Sequence, residues 1–297
     1  MHNSRVSRVA ALILLLTVVV TPSVAWAQKK NDKTPPPLTE KELQKVNQAL
    51  PDSAIAKPKK DRRVLVFWKC EGFFHGNGIA VGNKAIELMG EKTGAYTADV
   101  TGDYAAFEKE NLAKYDAVIL NNTTRLKMSD EAKNNLMQFV QDGKGLVGIH
   151  AATDNFYDWP EGAAMMGGLF DGHPWGGGGT WAFKIDAPDH VLNRAWSGKG
   201  FKLKDEIYQY KDPYTRSDRR VLLSLDMSDE TTANVKGIKR TDGDFAVAWI
   251  KEVGKGRVFF CGLGHAGNVF QETSVLKFYL DGIQYALGDL KADASPK

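Results

Sequence analysis

The sequence predicts an α/β domain built on a mostly parallel sheet, with helices on both faces and extra strands in its second half. Short apolar, β-branched runs at 64–68, 117–120 and 146–149 alternate with longer segments of helical period, which is the pattern of parallel strands covered on both sides. Beyond residue 180 apolar runs follow one another with little helical pattern between them, so further strands are expected there. A third observation locates the chemistry. His75, His150 and His265 each stand shortly after such a run, beside glycine, and open α/β sheets hold their ligands at the carboxyl ends of the strands.

Residues 1–27 read as an export signal. Arg5 and Arg8 precede the apolar stretch 9–20, and Ala25-Trp26-Ala27 offers a cleavage site before Gln28. That stretch is short for a membrane span, so the expectation is an exported protein, periplasmic or extracellular, with no stable membrane insertion after cleavage. Residues 28–63, rich in lysine and proline, read as a linker holding one short helix: Thr39-Glu40-Lys41-Glu42 has the form of a capping box, and Leu43, Val46 and Leu50 follow at helical spacing. The domain proper is expected over 64–288, and the polar residues 289–297 as a flexible tail.

Within the domain, strand 64–68 leads to a helix over 79–92 whose apolar face is Ile79, Ala80, Ala85, Ile86 and Met89, closed by Gly94. A weaker strand covers 96–100. Strand 117–120 is followed by a helix that Ser129 caps and that runs to Gln141, and Gly143-Lys144-Gly145 turns into strand 146–149. Runs 64–68, 117–120 and 146–149 are expected to be neighbouring central strands. Later strands are read at 181–185, 206–211, 220–225, 246–251 and 257–261, the last two joined as a hairpin through 252–256. A helix over 274–287 with Leu276, Tyr279, Leu280, Ile283 and Leu287 as its buried stripe closes the domain.

Charge and cysteines narrow the function. Removing residues 1–27 takes away two of the 39 basic residues and none of the 36 acidic ones, lowering the net charge from +3 to +1; a dedicated nucleic-acid surface is not expected. The two cysteines, Cys70 and Cys261, are too few for a disulfide scaffold. Export would permit one bridge between them, and two buried thiols are the plainer reading.

Five ordered motifs, Gly72-Phe73-Phe74-His75, Gly148-Ile149-His150-Ala151-Ala152, Gly172-His173-Pro174, Asp205-Glu206-Ile207-Tyr208 and Gly262-Leu263-Gly264-His265, resemble the ThuA-like (trehalose utilisation) family over about residues 64–288. The resemblance implies a flavodoxin-like, class I glutamine amidotransferase-like fold and a link to carbohydrate catabolism. His150 stands where an amidotransferase of that fold presents its nucleophilic cysteine, and no cysteine is near it in sequence, so thiolate acyl transfer is not expected.

The candidate catalytic residues are His75, His150, His265 and Glu206, because imidazole and carboxylate suit both proton transfer and binding of a divalent metal such as zinc. The spacing does not choose between these uses, and a single such histidine can equally do no more than hold a loop. Glu206 and Tyr208 alternate along an expected strand and share a side. Candidate substrate contacts are Asp154, Trp159, His173, Trp175, Trp181 and Tyr208. Three of the six tryptophans outside the signal crowd into residues 159–181 and could present flat faces to a sugar or fill the core. Asp154 could bind a hydroxyl or cap a turn. The leading function is an exported enzyme, a carbohydrate-active hydrolase or lyase taking a disaccharide, glycoside or oxidised (keto) sugar, with a small carbohydrate as partner and a homo-oligomer left open. The alternative is a noncatalytic carbohydrate-binding module. His150, on a turn, is expected to matter for turnover and little for stability.

Overall fold

The computed structural model describes Met1 and residues 33–297, and the expected export signal lies outside the described residues but for Met1. Pro35–Lys297 form one compact unit. Its first helix, α1 (Glu40–Ala49), opens with the expected capping box: Glu42 N–H donates to Thr39 Oγ1 and Thr39 N–H to Glu42 Oε2. This segment is no free linker. Val46 is fully buried, Asn77 Nδ2 donates to Glu42 Oε1, and Ala56 exchanges two hydrogen bonds with the Gln284 side chain. Nor is the carboxyl end a free tail, since Asp289 accepts from Lys59 N–H and Arg62, Leu290 is buried, and Asp293 pairs with Arg220.

Strands β1 (Arg63–Phe67), β2 (Thr97–Thr101), β3 (Ala117–Asn121) and β4 (Gly145–Ile149) come from the first half, and β5 (Leu169–Phe170) to β11 (Gly256–Cys261) from the second. Among the described residues the main sheet has nine strands, in the order β2-β1-β3-β4-β11-β10-β9-β6-β7. Its first five are parallel. The remainder, β10 (Ala246–Val253), β9 (Arg220–Leu225), β6 (Thr180–Ile185) and β7 (Phe201–Lys204), extend it antiparallel. The three expected central strands are β1, β3 and β4, side by side. Each side chain of β3 and β4 is buried, because helices cover both faces, and two apolar clusters fill the two sides.

Two strands depart from expectation. The segment 206–211 is strand only at β8 (Tyr210–Lys211), because Ile207 N–H is drawn to Trp175 O and Gln209 N–H to Gly172 O. The edge strand β7 was not expected from sequence. Both cysteines are buried and no disulfide joins them, which is the plainer of the two expected readings. No helix among the described residues is long and apolar enough to cross a membrane.

Trp175 is 0% exposed, and its indole N–H donates to Thr232 O at 2.8 Å. Trp175→Phe would leave that carbonyl unpaired and a void beside Phe245, whose ring is 5.0 Å away. A loss of about 2 kcal/mol in denaturant-unfolding stability is expected.

Candidate functional site

Parallel strands deliver their histidines to one end of the sheet. His75 follows β1 and caps α2 (Gly76–Thr93) without a side-chain cap bond; His150 follows β4, and His265 follows β11. Gly78 allows the first turn of α2 to lie against the β11 exit, since a Cβ there would come 2.4 Å from His265 O. Gly264 sits at φ +120°, a backbone setting that side chains rarely adopt. Glu206 arrives differently, on the segment that returns from β7 across this end of the sheet.

His150 occupies a sharp strand-to-3₁₀ turn with φ +46°, a costly setting for a non-glycine residue that clusters at functional sites. Its ring is fully buried. Nδ1 lies 2.9 Å from Gly262 O; a carbonyl only accepts, so Nδ1 carries a proton and Nε2 is the nitrogen left to face the cluster. That Nε2 is 3.4 Å from His265 Nδ1 and 3.7 Å from Glu206 Oε1, and His265 Nδ1 is 3.2 Å from the same oxygen. The His75 ring stands edge-on to both other imidazoles, at 5.1 Å from each. One ligand atom from each of the four residues falls within 4.8 Å of all the others.

A second layer fixes the set. Asp205, buried, accepts Gly264 N–H at 2.7 Å and His265 N–H at 3.1 Å. Tyr279 Oη donates to Leu263 O and Asn122 Nδ2 to Gly264 O. Tyr208 is buried against the His150 ring, with Oη 3.4 Å from His75 Nε2.

Burial, then the neighbouring imidazoles, lowers the His75 pKa to about 2, so this ring is neutral at neutral pH. Burial works against ionisation of Glu206, but His150 and His265 outweigh it and hold the carboxyl well below its usual range. Burial likewise opposes charge on His265, and Glu206 reverses the balance and raises it. Asp205 is pushed up by burial to about 6. Burial keeps the Tyr208 phenol protonated far above its usual range.

The remaining candidates divide. His173 reaches the cluster, with Nδ1 3.4 Å from Glu206 Oε2 and its side chain half-exposed at the rim. Asp154 is engaged by Arg125 at 3.0 Å and by Tyr157 Oη at 2.6 Å, which makes it part of the wall beside the site. The three indoles are core. Besides Trp175, Trp159 packs on Phe156, and Trp181 donates to Asp205 O, so none offers an open face to a sugar. Asp205 went unrecognised as a positioning group in the sequence. The signal lay in the N–H groups of the tight Gly264-His265 turn, which need an acceptor where water is excluded.

The fourfold cluster fits a divalent transition metal. Tetrahedral coordination with bonds of about 2.0–2.1 Å separates ligand atoms by about 3.3 Å, near the 3.2, 3.4 and 3.7 Å found here. His75 Nδ1 is buried with no hydrogen-bond partner among the described residues, an expense that a purely structural histidine does not explain. The His150–Gly262 carbonyl bond is the kind of outer contact that orients metal-bound imidazole. Cys261 is a poor source of thiolate, being buried with its thiol pushed up to about 12. A cavity of about 590 Å³ between Asp186, His190, Arg216, Arg220 and Asp293 shares no residue with the cluster, and its arginines are paired with Asp186, Asp244 and Asp293.

A family model described as ThuA, trehalose utilisation, matches residues 63–286. Among solved structures, that of a thua-like protein from Bacteroides uniformis ATCC 8492 superposes with a TM-score of 0.64 at 22% identity, covering 78% of this chain and 94% of that one. Another, from Parabacteroides merdae ATCC 43184, gives 0.58 at 19% identity, covering 80% and 98%. At these identities the likeness is one of fold, the flavodoxin-like, glutamine amidotransferase-like arrangement. A search of curated proteins gives no match.

Proposed function

Because the chain belongs to the ThuA family, whose description is trehalose utilisation, and its role is accordingly related to carbohydrate, we propose that it is an enzyme processing a disaccharide, a glycoside or an oxidised sugar at a divalent metal held by His75, His150, His265 and Glu206. The observation that carries this reading is the convergence of His150 Nε2, His265 Nδ1 and Glu206 Oε1 within 3.7 Å, with His75, whose Nδ1 has no hydrogen-bond partner among the described residues, beside them. When bound, a metal of the zinc class supplies a Lewis acid for a sugar oxygen.

The chain's own groups have distinct tasks in this reading. Tyr208, kept protonated by burial, donates its O–H towards the reacting sugar. His173, half-exposed, faces Glu206 from the rim of the site. Asp205 and the Gly262 carbonyl hold two imidazoles in place. The binding-module alternative loses the three indoles on which it rested, because they are core. Export, with a mature chain starting at Gln28, is part of the proposal and rests on the pattern of residues 1–27; N-terminal sequencing of the secreted protein checks it.

The test is turnover by zinc- and manganese-loaded mature protein on trehalose, aryl glycosides and their keto derivatives. We expect activity that chelation removes and metal restores. A metal-loaded protein that binds a sugar and turns over none of these would favour the module instead.

Acidity gives a second check. Ligand imidazoles must be neutral to bind metal. His75 is already neutral, whereas Glu206 raises the His265 pKa, so protons compete at His265 from somewhat above the usual histidine value of about 6.5. Zinc affinity, measured with a competing chelator dye, is expected to fall steadily as pH drops from about 8 to about 5.5. Affinity that stays level over that window would contradict imidazole ligation.

A further inference from the structure

Phe73 is 66% exposed, the most exposed large apolar side chain among residues 33–297. A lone exposed phenylalanine is ordinary; its position is what calls for an explanation. The Phe73 ring stands 4.8 Å from the ring of His75, edge to face, which puts it at the border of the histidine cluster. Its backbone is pinned: Thr124 Oγ1 donates to Phe73 O at 2.8 Å, Glu71 N–H donates to Thr124 O at 2.8 Å, and Cys70 bridges to Thr124. The loop is therefore held in a form that leaves the ring in water.

Beside it lies a polar group. Gly72 packs so closely on Arg125 that a Cβ there would come 2.6 Å from Cγ. The Arg125 guanidinium lies 4.1 Å over the Tyr157 ring and pairs with Asp154, which also accepts from Tyr157. A flat apolar face thus adjoins a set of hydrogen-bonding groups, next to buried imidazoles. A pyranose has the matching chemistry, an apolar C–H face and a rim of hydroxyls.

We propose that Phe73 is the platform on which a pyranosyl ring of the substrate stacks, its C–H face on the aromatic ring and its hydroxyls towards Arg125 and Asp154. This rests on the carbohydrate reading above and assigns the sugar contact to Phe73 in place of the three buried indoles.

The test measures binding of trehalose to zinc-loaded protein by saturation-transfer NMR, with methyl glucoside as a second probe. For the wild type, transfer is expected to be strongest at ring C–H protons. Phe73→Ala should weaken affinity about five- to tenfold, and Phe73→Trp should retain it, with zinc content unchanged in both because neither variant alters a ligand. Equal affinity in wild type and Phe73→Ala would overturn the platform and leave the metal-site reading standing. A Phe73→Ala protein that binds sugar normally but sediments as a different oligomer would also overturn it, making the ring a contact between copies of the chain. If the zinc-loaded wild type binds neither sugar, the platform falls together with the carbohydrate reading, while retained zinc would still speak for the metal site.

Discussion

His150→Asn is expected to abolish metal binding and lower turnover by roughly a hundredfold or more while leaving the thermal midpoint close to that of the wild type. The asparagine amide can stand in for Nδ1–H and keep the bond to Gly262 O, and asparagine tolerates the φ of +46° better than most residues. What it lacks is the second nitrogen, the one facing Glu206 and His265. His150→Ala should behave differently. The ring is fully buried and bonded, so its removal leaves a void and an unpaired carbonyl, costing about 2–4 kcal/mol of stability as well. This corrects the expectation from sequence that His150, as a turn residue, would matter little for stability. Metal content, turnover and thermal denaturation of the two variants separate ligation from packing. Full activity in His150→Asn would remove His150 from the chemistry.

The second large effect is expected at Asp205, which touches no substrate in this account. Its carboxylate takes two N–H groups, the buried one of Gly264 and the part-buried one of His265. Asp205→Ala leaves both unsatisfied, a cost on the order of 3 kcal/mol, and frees the turn that aims His265 at Glu206. Stability and metal affinity should fall together. Asp205→Asn keeps one acceptor and should recover part of both. A purely structural role would lower stability but leave metal affinity in the folded protein untouched, so zinc titration of Asp205→Asn tells the two apart.

Much of the fold was legible because burial on both faces leaves a plain mark: β1, β3, β4 and β11 are short apolar runs, and His75, His150 and His265 stand just beyond their ends. The closing helix (Thr273–Ala286) and the Thr39 capping box were equally clear. The edge strand β7 was not, since Phe-Lys-Leu-Lys alternates over only four residues, two half-buried and two exposed. Alternation at 206–211 misled in the opposite sense. The side chains follow a strand period, but backbone bonds to Trp175 and Gly172 bend the segment over the site. That bend brings in Glu206, whose position depends on tertiary structure and was visible in sequence only through the family resemblance.

Aromatic residues were the least legible. An indole beside a glycine-rich loop fits a sugar rim and a core equally well in sequence, and only the fold buries Trp159, Trp175 and Trp181 while leaving Phe73 in water. Phe73 and Phe74 look alike in the chain. What distinguishes them is the pinning of residues 70–73 to Thr124, a contact made across two strand ends. The docked segments 35–63 and 289–293 were misread for a related reason: lysine and proline suggest a linker, and their partners Asp289, Gln284 and Arg220 lie far away in sequence.

The proposed chemistry turns on one ion. Crystals of the protein purified with zinc and measured at the zinc absorption edge should show a single anomalous peak lying about 2.0–2.2 Å from one nitrogen each of His75, His150 and His265 and from a Glu206 oxygen. A map with no peak among these four residues, from protein exposed to excess zinc at neutral pH, would contradict it.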